Sequence, residues 1–256
     1  MQAILNPALR PTLSLRPMTL EDPLAYLPVS TITQYRRFDA IYIHGQAATR
    51  LYLIVKGKVK ILRHTSRVVV LDVYRSDDLF GESVLAGQPY RMEQAVAIEP
   101  TEVMSWCREE IERTAESRPK FGLALLHLMA GRLAEFASRL DSFSSESTEQ
   151  RLTRTLIRFA GRFGNEAGDG TVTMDAFTHE LLSQYVGTSR EVVSQFMSRF
   201  RHEGYLHYSR KEISLRQQAL NAWQSAQINH CPETIGSLEA REAGREGKRS
   251  VRPLMK

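Results

Sequence analysis

The 256-residue sequence predicts an α+β chain in three parts: a β-rich N-terminal half, a long central helix and a small helical unit ending in a hairpin. Three observations carry that reading. Short apolar runs of strand character, separated by turn residues, fill residues 28 to 106. An apolar row at heptad spacing then runs from Gly122 to Phe143. Further on, "THELLSQYVG" and "SREVVSQFMSRFRHEG" place two helical patterns on either side of Gly187-Thr188.

Residues 1–27 read as an N-terminal extension. Their start, "MQAILNPALRPTL", has no sustained apolar core and does not read as a signal peptide. The β-rich region, 28–108, holds "YLIVKGKVKIL". There Val55, Gly57, Val59 and Ile61 alternate with Lys56, Lys58 and Lys60, as in one strand with a wet side. "AIYIHGQ", "RVVVLDVY" and "AVAIEPTEVMSW" are further strands, with turns at His44-Gly45, Thr65-Ser66 and Pro100-Thr101. Such spacing suggests a sandwich or a jelly-roll-like barrel.

Residues 109–148 read as one helix followed by a hinge at "SSEST". Gly122, Leu126, Met129, Leu133, Phe136, Leu140 and Phe143 advance by 4, 3, 4, 3, 4 and 3 residues. A stripe of that period stays on one side of a helix, which favours a homodimer seam. Packing within its own domain is the alternative. Residues 149–224 open with the amphipathic "RLTRTLIRFAGRFG", continue through "TVTM" and the helix pair, and close on the hairpin "YLHYSRKEISL". From 225 to 256 the chain turns polar and reads as a frayed tail.

Composition sets the outer limits. The chain is 42% hydrophobic and 25% charged, ordinary for a globular protein. A net charge of +5 permits an acidic partner such as nucleic acid without demanding one. Cys107 and Cys231 are the only cysteines, with no CxxC pair, which fits a reducing cytoplasm and argues against a disulfide or zinc-ribbon scaffold. No stretch approaches the length of an apolar membrane span, so the expectation is a soluble cytoplasmic protein with no membrane partner. Ser–His–Asp spacing, HExxH, P-loop and GxSxG are all missing, and no enzymatic activity is expected.

Two helices about a glycine turn, followed by a hairpin, make a winged helix-turn-helix whose second helix enters a major groove of double-stranded DNA. Thr178 and Thr188 stand as N-caps. Leu182, Val186, Val192, Val193 and Phe196 suit a joint core, leaving Ser189, Arg190, Glu191, Ser194, Gln195 and Arg199 to face outward. Arg190 matches guanine O6 and N7, and Glu191 matches cytosine N4. Against this, Thr188-x-x-Glu191 also fits a capping box that would occupy the Glu191 carboxylate. Gln195 reaches adenine or is simply solvated. Arg210 and Lys211, on the hairpin, suit phosphates.

At this point the sequence resembles the cyclic-AMP receptor protein and fumarate–nitrate regulator (Crp/Fnr) family of transcription factors over about residues 28 to 220. "FGESVLAGQ", "AVAIEPTEV", "RPKFGLALLHLMAGRLAEF" and "LSQYVGTSREVVSQF" carry the resemblance, in that order. It implies a cyclic-nucleotide-binding-type β-roll, a long dimerisation helix, a winged helix on promoter DNA and RNA polymerase as a partner. The implied effector pocket is Gly81, Glu82, Ser83, Arg91, Met92 and Phe136. In nucleotide-binding members a Gly-Glu pair precedes an Arg-Ser pair, and the helix offers small hydroxyl residues. Here Gly81 and Glu82 are kept and Arg91 is the candidate arginine. Met92 stands where serine is expected, and Phe136 and Ala137 where Thr and Ser are. Losing three polar partners argues against cyclic AMP. Residues 1 to 106 contain no cysteine for the cluster of the fumarate–nitrate type, and only His44, His64 or His127 offers a haem ligand. The effector is left unknown, no cofactor is expected, and a sensor acting on a protein partner is the rival reading.

Overall fold

The computed structural model describes residues 21–228. Most of the expected N-terminal extension and all but the first residues of the expected tail lie outside them. The chain divides into two compact units after Ser145.

The first unit is a roll of two four-stranded antiparallel sheets. One orders β1 (Thr33–Tyr35), β8 (Thr101–Cys107), β3 (Arg50–Lys56) and β6 (Leu79–Phe80); the other orders β2 (Ala40–Tyr42), β7 (Gln94–Ala97), β4 (Lys58–His64) and β5 (Val68–Arg75). Between the sheets lie Tyr42, Tyr52, Ile54, Val59, Ile61, Tyr74, Phe80 and Val103. Burying each such side chain contributes about 1.5–3 kcal/mol.

"YLIVKGKVKIL" is therefore two strands and not one. Gly57, at φ +96°, turns the chain from the first sheet into the second. Inward-facing residues change parity across that turn: Ile54 is buried before it, Val59 and Ile61 after it, while Val55 is only half-buried. Alternation across the glycine looked continuous because lysines flank it on both sides.

The expected single helix is also two, α1 (Arg108–Ser117) and α2 (Pro119–Ser145). Arg118 between them is at φ −135°, ψ 80°. The ring of Pro119 disfavours the helical region for its predecessor while suiting the first position of a new helix. One face of α2 buries Phe121, Ala124 and Leu125 in a second core with Leu51, Leu79, Trp106 and Ile111. The opposite face leaves Leu126, Leu133, Phe136 and Leu140 exposed, Leu133 by 70%.

The second unit begins with α3 (Thr148–Phe163), capped by Ser147, whose hydroxyl accepts from the Gln150 N–H at 3.3 Å. It continues through β9 (Asn165–Glu166), β10 (Val172–Asp175), α4 (His179–Val186), α5 (Arg190–His202), β11 (Leu206–Tyr208) and β12 (Glu212–Leu215). The four strands form one antiparallel sheet in the order β11-β12-β10-β9. A further helix, α6 (Gln217–Ile228), runs past residue 225, where the sequence suggested the tail begins. Its Trp223 packs on Phe200 and Tyr205 at ring separations of 5.1 and 5.9 Å. No helix among the described residues is long and apolar enough to cross a membrane.

A Cβ at residue 57 would lie 2.6 Å from the Pro100 carbonyl oxygen and 2.6 Å from the Thr101 hydroxyl. Gly57→Ala is therefore expected to destabilise the protein by about 2–3 kcal/mol, read as a lowered denaturant midpoint.

Candidate functional site

Two places in the fold gather polar and charged side chains beyond what packing needs. One is the helix pair of the second unit. Thr178 caps α4, its hydroxyl accepting from the Leu181 N–H at 3.1 Å. The chain leaves α4 at Gly187, in the left-handed region at φ 77°, and re-enters a helix two residues later. The cap of α5 is Ser189 and not Thr188: Ser189 Oγ accepts from the Val192 N–H at 3.3 Å. The Thr188 N–H goes back to the Ser183 carbonyl at 3.0 Å. With Thr188 one residue too early, the expected box with Glu191 does not form.

Glu191 instead takes hydrogen bonds from its own backbone N–H and from the Ser189 hydroxyl, which together hold its carboxyl below the ordinary range. Arg190, Glu191 and Gln195 are exposed along the first turns of α5, with Ser189 before them. Ser194 is half-buried and donates to the Arg190 carbonyl at 2.9 Å. The joint core differs in part from expectation. Leu182, Val186 and Val193 are buried, but Val192 and Phe196 only half so, and Met197 and Phe200 take their place. A helix packed at positions 193, 197 and 200 keeps a spacing of four and three, which the shorter motif had cut off.

Arg199 does not stand free as expected. It pairs with Glu149 of α3 and lies over the rings of Phe196 and Phe200 at 5.1 and 5.5 Å. Arg210 and Lys211 are exposed on the turn between β11 and β12. Ser209 organises that turn, its hydroxyl accepting from the N–H groups of Lys211 and Glu212 at 3.1 and 3.2 Å.

The other place is in the roll. Gly81, Glu82 and Ser83 lead into and form a single 3-10 turn, Glu82–Val84. Arg91 is 1% exposed. It donates to the Gly81 carbonyl at 2.8 Å, to Ser83 Oγ at 2.6 Å and to the Arg50 carbonyl, with its guanidinium 4.2 Å over the Tyr42 ring. The Ser83 hydroxyl donates to the Glu93 carboxylate at 3.3 Å, and burial pushes the Tyr42 phenol up.

Arg132, on α2, was missed. It pairs with Glu82, donates to the Leu79 carbonyl and lies 4.6 Å over the Tyr74 ring. The signal was its place on the same side as Leu125 and Leu128, off the heptad row. Met92 and Phe136, expected in this pocket, are 47% and 43% exposed. Met92 offers its backbone carbonyl to Arg63 at 3.2 Å, and Phe136 lies with the outward row of α2. Gly81, Glu82, Ser83 and Arg91 come together; Met92 and Phe136 do not join them. Of the three histidines weighed as haem ligands, His64 bonds Gln94 at 3.2 Å, His44 is an exposed turn residue and His127 is half-buried on α2.

A β-roll with a buried polar cluster, followed by a long helix and a winged helix-turn-helix, defines a DNA-binding transcriptional regulator. Comparison with known proteins agrees. Residues 32–118 match the cyclic nucleotide-binding domain and residues 150–222 the Crp-like helix-turn-helix domain. The chain is 28% identical over 181 residues to a CRP-like cAMP-activated global transcriptional regulator of Mycobacterium tuberculosis, covering 70% of this chain and 81% of that one. It is 29% identical over 188 residues to a cyclic AMP receptor protein of Thermus thermophilus, covering 73% and 84%. FixK2 from Bradyrhizobium japonicum shares the fold with a TM-score of 0.68 at 23% identity, over 77% of this chain and 98% of that structure. The chain belongs to the Crp/Fnr family of transcriptional regulators.

The cap assignment is open to direct measurement. Ser189→Ala is expected to cost about 1 kcal/mol of unfolding free energy, and Thr188→Ala distinctly less. Equal losses in urea titrations would return the cap to Thr188.

Proposed function

We propose that this regulator binds a pseudo-palindromic promoter site as a homodimer, reading bases with the first turn of α5, and that a small effector at the roll controls it. One observation carries the reading. Arg190 and Glu191 stand exposed side by side at the start of α5, with the Glu191 carboxyl held below its ordinary range. An arginine and an anionic glutamate there complement guanine and cytosine edges. Thr178 and Ser189 fix the helix ends, Ser194 and Gln195 flank the readers, and Arg210 and Lys211 supply phosphate contacts. The protein acts by binding rather than catalysis, in the cytoplasm, with RNA polymerase as the family partner.

The exposed row Leu126, Leu133, Phe136 and Leu140, continued by Met129 and Phe143, supports dimerisation through α2. Cyclic AMP fits poorly. Arg132 already engages Glu82, the acceptor that a ribose hydroxyl would need, and the outward Met92 and Phe136 offer no hydroxyl to a base.

Selection of bound sequences from a random DNA pool tests the reading. It is expected to return two half-sites about 34 Å apart. Arg190→Ala is expected to cost about 1–3 kcal/mol on the best site and to flatten preference at one base pair of each half-site. An unchanged logo removes Arg190 from base reading, and failure to enrich any duplex favours a sensor acting on a protein partner. Leu133→Glu with Phe136→Glu is expected to turn a dimer into a monomer in sedimentation, because two charges would be buried in an apolar seam. A wild-type monomer at micromolar concentration would remove the seam.

A further inference from the structure

His179 is not among the residues placed on DNA above, yet it joins three elements of the winged helix. It is the first residue of α4. Its Nδ1 lies 2.9 Å from Ser194 Oγ on α5, and its ring packs edge-on against Tyr208 of β11 at 5.4 Å. The Ser194 hydroxyl has a single proton, and it donates that proton to the Arg190 carbonyl at 2.9 Å. With the hydroxyl proton on the Arg190 carbonyl, the bond to His179 runs the other way, from Nδ1–H to Ser194 Oγ. That assignment fixes the tautomer. Nε2 carries the lone pair, and any added proton goes there.

We propose that His179 is a DNA-contacting residue that takes up a proton as the duplex docks, so that DNA affinity rises as pH falls. This rests on the DNA-binding reading above. Several charged and titratable groups surround the imidazole. Glu180, its neighbour on α4, is engaged by Gln184 at 2.7 Å. Tyr208 has the Arg201 guanidinium 5.1 Å over its ring. Arg190 stands on α5. Burial first, and then the charge of Arg190, hold the imidazole below its ordinary range, so the free protein carries it neutral at neutral pH.

Double-stranded DNA acts on the second of these influences. It brings one negative charge per about 1.7 Å of axis, which neutralises Arg190 and attracts a proton to the adjacent ring. The signs of two pH dependences then separate this role from a structural one. A histidine that is harder to protonate folded than unfolded loses stability as pH falls through the ordinary imidazole value of about 6.5. A purely structural His179 would therefore weaken DNA binding in acid. A DNA-linked His179 strengthens it while the free protein is losing stability.

The test is fluorescence anisotropy of the full chain on a random-sequence duplex at fixed salt, between about pH 6 and pH 8 around that imidazole value. Wild type is expected to bind up to about tenfold more tightly per unit fall in pH for each proton taken up. His179→Asn keeps an amide N–H for Ser194 but accepts no proton. It is expected to lose one proton per subunit from that slope. Equal slopes in the two proteins, or a wild-type affinity that falls in acid, overturn the proposal. Should the variant be unstable, proton NMR of the wild-type imidazole decides the same question. Its titration midpoint is expected to rise on adding duplex, and an unmoved midpoint overturns the proposal. Binding without pH dependence removes only this role of His179, whereas no binding to any duplex removes the DNA-binding reading with it.

Discussion

The ion pair between Arg132 and Glu82 is the contact on which the first unit turns. Arg132 is almost wholly buried on the inward face of α2, where a guanidinium is tolerated only with partners. Glu82, the Leu79 carbonyl and the Tyr74 ring supply them. Removing one member of such a pair strands the other, at about 3–5 kcal/mol. Together with the packing of Phe121 and Leu125 and the bonds from Arg139 to the Leu71 and Val70 carbonyls, the pair holds the rotation of α2 about its axis. Phe121, Ala124 and Leu125 go inward beside Arg132; Leu126, Leu133, Phe136 and Leu140 remain on the surface.

The same pair shapes the chemistry of the roll. Two arginines converge on one short turn, and the terminal nitrogens of both are engaged within the protein, while Arg91 Nε is buried without a partner. Arg91 is held by carbonyls, a hydroxyl and the face of Tyr42; Arg132 is held by a carboxylate. A small molecule entering here must compete with these bonds, so its affinity is the difference between two sets of contacts.

In the second unit the corresponding constraint is the short turn from Gly187 to Ser189. Each of α4 and α5 has its own hydroxyl cap, and the left-handed Gly187 permits the sharp turn between them. Buried Met197 and Phe200 then anchor α5 from behind, with Trp223 of α6 closing over Phe200. Rigid support from behind leaves the front of α5 free of structural duty. Arg199 marks the limit of that freedom, since its pairing with Glu149 ties it back to α3.

Much of this was legible in the residues. The strand-rich half, the heptad row on a helix, the glycine turn between two helices and the hairpin after them are local patterns, each set by spacing or turn chemistry within a few residues. The candidate readers Arg190 and Glu191 were legible for the same reason. Other features depend on residues far apart in the chain. The parity change at Gly57 follows from which sheet each strand joins, and the break at Arg118 from a proline that the heptad count passed over. Sequence alone left α6 unseen, because its packing partners lie across the unit. Arg132 stood unnoticed until Glu82, fifty residues earlier, was brought beneath it. His179 became more than a first-turn residue only when Ser194 and Tyr208 closed around it. Periodicity and turn residues are written locally, so the sequence by itself determined the order of the main parts and the family. Burial and charge pairing are properties of neighbours in space, so only the tertiary structure decided which polar groups are committed and which remain for a ligand or for DNA.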